Sequence, residues 1–128
     1  VTPLDVLSSF DRLTTPDRST DARIAELMAP ELGFTGVSWN NGEPHFSGKG
    51  SGYKVWKYTA SVDSALRIIP KRWFLEEVYK ESSASPYEVT IKSNGLAITV
   101  KSKILSMAVC IAALRARALE VALSQHNN

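Results

Sequence analysis

The chain is poor in the residues that most often carry chemistry. It has one cysteine and two histidines in 128 residues. A single cysteine closes no internal disulfide, so a disulfide-stapled fold is excluded. His45 and His126 lie far apart, and Cys110 has no Cys or His at ligand spacing, so no metal site is expected and no cofactor is implied. Gly-x-Ser-x-Gly is absent, and with it the strained serine elbow of the α/β-hydrolases. No apolar run approaches the ~18–20 residues of a membrane-spanning helix. Val1 to Phe10 lacks a charged stretch followed by an apolar one, so neither a secretory leader nor membrane contact is expected. The expected location is the cytoplasm.

What is present suits one globular domain over 1–128. Leu, Ile, Val and Phe make 33 of the residues, too many for intrinsic disorder. The formal charge is +2, but it is unevenly spread. Residues 1–43 carry −4, residues 44–80 carry +4 and the remainder +2. An acidic start lying on a basic middle is the ordinary reading of such a split. A basic surface for an anionic partner is the functional one.

Local signals divide the chain into a helical part over 1–30, a β-rich part over 31–102 and a helix over 103–124. Thr2-Pro3-Leu4-Asp5 has the cap, the first-turn proline and the acid of a capping box. A second helix is expected from Ser19 to Met28, ended by Pro30. Asn41-Gly42 marks a tight turn between Trp39 and His45-Phe46. Tyr53 to Tyr58 alternates as a strand would, and Ser61 opens a short helix over 61–69. Tyr87-Val89-Ile91 and Leu96-Ile98-Val100 alternate on either side of Asn94-Gly95, a half-buried hairpin. The order α-α-β-β-α-β-β-β-α predicts an α+β fold, an antiparallel β-sheet flanked by helices in a sandwich-like arrangement.

Stepping the last helix at about 100° per residue sets Ser106, Cys110, Ala113, Arg117, Glu120 and Ser124 on one stripe, expected to face water. Ile104, Ala108, Ile111, Leu119 and Ala122 lie opposite, and Arg115 falls among them. A charge on an apolar face is paired or snorkels out. Arg115 is therefore expected to be buried against a carboxylate, Glu77 first, with Glu88 or Asp63 as alternatives. Glu77 is placed on a Trp73-Leu75-Tyr79 face by strict strand alternation.

The candidate contact segment is 45–57. Lys49, Lys54 and Lys57 interleave there with Tyr53 and Trp56, a mixture that anchors proteins or stacks bases. The glycines at 48, 50 and 52 make a loop, not a phosphate cradle, since a strand pattern and not a helix follows. Glu76 and Glu77 are neighbours on a strand and cannot share a substrate. No catalytic constellation emerges, and the chain is expected not to be an enzyme.

Three stretches, Thr20-Asp21-Ala22-Arg23-Ile24-Ala25-Glu26, Tyr58-Thr59-Ala60-Ser61-Val62-Asp63-Ser64-Ala65-Leu66 with Ile69-Pro70, and Ala112-Ala113-Leu114-Arg115-Ala116-Arg117-Ala118, resemble a family of small phage and prophage proteins of alphaproteobacteria, the phage ABA-sandwich domain. The family usually has Glu-Gly after the proline, where this chain has Lys71-Arg72. The resemblance implies a helix–sheet–helix sandwich and a viral origin, and supplies no catalytic residues. The expectation is an accessory protein that binds a host or viral protein, as an inhibitor of host defence. A nucleic-acid or nucleotide module using 45–57 is the alternative.

Overall fold

A computed structural model describes residues 1–48 and 52–126. Helix α1 (Pro3–Ser8) starts on the expected capping box: the Thr2 side chain accepts from the Asp5 amide and the Asp5 carboxylate accepts from the Thr2 amide. Helix α2 (Arg18–Leu32) is capped by Asp17 and runs past Pro30. Only one helical N–H is missing at that proline. The end is set instead by Gly33 at φ +85°, after which the Phe34 amide donates back to the Ala29 carbonyl at 2.9 Å.

Strands β1 (Gly36–Asn40) and β2 (Glu43–Ser47) form a two-stranded hairpin against α2. Its two turn residues, Asn41 and Gly42, both have positive φ, as a type I′ turn requires. Helix α3 (Val62–Leu66) follows, with Ser61 as its cap. A second antiparallel sheet has the order β3 (Phe74–Tyr79), β4 (Tyr87–Ser93), β5 (Leu96–Ser102). Helix α4 (Leu105–His126) lies across β4 and β5 and also packs on α1 and α3. The fold is α+β with the element order expected, its strands divided between two sheets.

The core centres on α4. Ser106 to Cys110, Ala112 to Leu114, and Ala116 are all buried, so this stretch has almost no water-facing side. The expected polarity of the helix is reversed. Ser106 donates to the Thr59 carbonyl at 2.6 Å and the Cys110 thiol to the Tyr58 carbonyl at 3.2 Å. Arg117, about two turns further on, donates to the Ile68 carbonyl at 2.6 Å and pairs with Glu31. The stripe assigned to water therefore faces residues 58–68, because small side chains there allow that segment to approach.

The Arg115–Glu77 pair does not form. Arg115 is exposed beside Ser8 and Asp11 and has no ion-pair partner among the described residues. A β-bulge between Leu75 and Glu77 breaks strict alternation and sets Glu77 opposite Thr90. Thr90 bonds Thr99 on the exposed face, while its neighbours Val89 and Ile91 are buried on the other. Glu77 thus points away from α4. Replacing Arg115 by Ala is expected to change stability by no more than about 0.5 kcal/mol. Arg117→Ala is expected to cost about 1.5–3 kcal/mol, by leaving a carbonyl and a carboxylate without their charged donor. Urea unfolding of both variants measures the contrast.

Candidate binding surface

The segment from Tyr53 runs along β2 for only three residues. The Phe46 amide donates to the Tyr53 carbonyl and the Val55 amide to the Pro44 carbonyl, with one bridge between His45 and Lys54. The strand expected over 53–58 stops there for a visible reason. The carbonyls of Val55 and Trp56 accept from Arg18 at 2.9 and 3.2 Å instead of from a neighbouring strand. The chain then turns, with the amides of Ala60 and Ser61 donating to the Lys57 carbonyl.

Arg18 is the hub of this turn. It reaches the Asp21 carboxylate at 2.8 Å and Glu43 at 2.9 Å. Asp21 is buried and also accepts from the Thr59 amide and hydroxyl, each at 2.8 Å. The Arg18 guanidinium beside Glu43 holds that carboxyl below its usual range, helped by Lys54 and Lys57.

Over this base the aromatic rings form a series. Phe34 stacks on Phe46 at 4.5 Å between centroids, Phe46 meets Trp56 edge-on at 5.6 Å, and Trp56 meets Tyr58 at 6.2 Å. The Arg67 guanidinium lies 4.5 Å from the Trp56 ring centre. Two hollows adjoin here. One of about 210 Å³ is lined by Phe34, Phe46, Tyr53, Lys54 and Trp56. The other, about 410 Å³, includes the charged Arg18, Glu43, Lys54 and Lys57 beside Val55 and Trp56. Lys54 and Trp56 belong to both.

Four of the five residues singled out by sequence, Tyr53, Lys54, Trp56 and Lys57, thus stand around one pair of hollows, and Lys49 lies outside the described residues. Sequence reasoning missed Phe34, Arg18 and Arg67, which arrive from other elements. Arg67 gave no signal. Arg18, three residues before Asp21, was visible only as a helix pair.

Other reactive groups are sequestered. Burial pushes the Cys110 thiol and the Tyr58 hydroxyl well above their usual ranges, so both stay protonated near neutral pH. Among the described residues, no three His, Cys, Asp or Glu side chains gather as metal donors, and no helix is long and apolar enough to cross a membrane. Larger open hollows of about 590 and 610 Å³ flank the end of α4. One sets Lys71 and Arg72 beside the single acid Glu120, and the other holds the Arg117–Glu31 pair.

No protein-family model matches this chain, and no curated protein or solved structure matches it either.

Proposed function

We propose that this chain is a non-enzymatic phage or prophage accessory protein that binds a host or viral protein in the cytoplasm of a bacterial host cell. Its binding face is the one built by Tyr53, Lys54, Trp56 and Lys57, and its role is inhibition of a host defence system. One observation carries the binding face: free cations stand beside a fixed aromatic ring. Lys54 and Lys57 are exposed with no ion-pair partner among the described residues, while Arg18 below them holds both Asp21 and Glu43. Trp56 is held between Phe46 and Arg67, so little side-chain freedom is lost when a partner covers it. The phage origin rests on the three motif stretches.

The aromatic hollow beside Lys54 supports a second reading, a nucleic-acid module in which a base stacks and a phosphate meets the lysine. One pair of measurements separates them. Lys54→Glu/Lys57→Glu should fold normally, both sites being exposed, and should fail to retain a protein that the parent chain captures from infected cells. Binding of a labelled oligothymidylate, steeply weakened by salt and lost in the same variant, would transfer the face to nucleic acid. If both chains retained the same proteins and neither bound the oligonucleotide, the face would have no such role.

A further inference from the structure

The turn before β3, the β4–β5 hairpin and the last turns of α4 border the open hollow of about 590 Å³. Its size lies within the range of small-molecule sites. Lys71 and Arg72 line it, both exposed and neither with an ion-pair partner among the described residues. The turn that carries them is closed by the Trp73 amide on the Pro70 carbonyl at 3.0 Å. Trp73 forms a fixed wall: it is 6% exposed and its indole N–H donates to Glu120 at 3.2 Å. Leu96 and Leu123, both exposed, add apolar surface from the hairpin and from the helix. Ser93 is the unexpected member. It continues the inward row of Val89 and Ile91, yet it carries a hydroxyl. It is 6% exposed, lines the hollow and makes no side-chain hydrogen bond among the described residues. That hydroxyl is not sealed in, since among the described residues Tyr58 alone has a buried side-chain oxygen cut off from any partner. A hydroxyl so placed calls for a partner, and the hollow is the side left open for one.

We propose that this hollow binds the phosphate monoester of a small aromatic alcohol. The anionic end follows from charge. Two cations stand beside one carboxylate, and that carboxylate already accepts from Trp73. The Lys71 ammonium, the Arg72 guanidinium and the Ser93 hydroxyl are three donors. A phosphate monoester offers three terminal oxygens to them, where a carboxylate offers two. The aromatic end follows from Trp73, Leu96 and Leu123, whose apolar surface a ring would cover and a bare phosphate would not. Trp73 and Ser93 are held by the fold before any ligand arrives, so few side chains have to be ordered on binding. The site shares no residue with the Lys54–Trp56 face and does not depend on that reading.

Phenyl phosphate titrated into the full chain, followed by heteronuclear NMR, tests it. The Trp73 indole and Ser93 amide signals should move together, with a Kd of about 1 mM for so small a ligand. Inorganic phosphate and phenylacetate should each bind about tenfold more weakly or worse, the first lacking the ring and the second an oxygen. Lys71→Glu/Arg72→Glu should fold as the parent does, both sites being exposed, and should weaken phenyl phosphate by about tenfold or more. Far-UV circular dichroism checks that fold. Ser93→Ala should weaken phenyl phosphate about fivefold and leave the urea midpoint unchanged, because the hydroxyl has no partner within the fold. Several results would each overturn the inference: signals that do not move, inorganic phosphate binding as tightly as the ester (an adventitious ion only), or phenylacetate doing so. Variants that bind as the parent does, or Ser93→Ala lowering the urea midpoint with binding intact, would overturn it equally.

Discussion

Replacing Asp21 by Ala is expected to destabilise the fold by about 3–5 kcal/mol, the cost of breaking a buried charge network from one side. The carboxylate is 1% exposed and accepts from the Arg18 guanidinium, the Thr59 amide and the Thr59 hydroxyl. Its loss strands a buried backbone amide and removes the acid that holds Arg18 against the carbonyls of Val55 and Trp56. A domain has only about 5–15 kcal/mol in all, so the variant should be partly unfolded at room temperature. Asp21→Asn keeps an acceptor for the Thr59 amide and should lose less, about 2–3 kcal/mol. Thr59→Val removes the partner hydroxyl, and its effect should not add to that of Asp21→Ala because both act on one network. Guanidinium unfolding gives all three values. A cost below about 1 kcal/mol for Asp21→Ala would mean that the network does not hold the turn.

This network also explains two of the three motif stretches. Thr20-Asp21 and Tyr58-Thr59 lie far apart in sequence and meet at the Asp21 carboxylate, and the Thr59 carbonyl accepts in turn from Ser106 on α4. These stretches are scaffold. The proposed binding face lies instead on residues beside them, Lys54 and Trp56 among them.

The sequence was legible where the signal is local. The Thr2–Asp5 capping box, the Asn41-Gly42 and Asn94-Gly95 turns and the alternation of β4 and β5 each depend on a few neighbouring residues, and each is present in the fold. Tyr53, Lys54, Trp56 and Lys57 cluster partly because they are neighbours in the chain. Three things were not legible. A helix buried nearly all round has no single apolar stripe, so ranking Ser106 and Cys110 as polar turned α4 the wrong way and left Arg115 apparently inside. A bulge adds one residue with no marker in the sequence, and it moved Glu77 to the other face of β3. The Arg18 contacts span 25 to 38 residues, beyond any periodicity, yet they end the strand at Val55.

The same limit yields the second large effect, because two residues with the same alternation differ only in what covers them. Ile91 lies in the central strand between Leu75 and Ile98, and Val78 sits opposite Val89 on the same face of the edge strand. Ile91 is fully buried and Val78 is 43% exposed, since α4 covers β4 and stops short of β3. Ile91→Ala should therefore cost about 2–5 kcal/mol, the transfer of its methyl groups plus a cavity beneath α4 that neighbouring strands cannot close. Val78→Ala should cost under about 1 kcal/mol in dilute solution, where its side chain already meets water. Chemical unfolding of the two variants measures the contrast. A Val78 cost as large as that of Ile91 would mean that β3 is covered within a single copy.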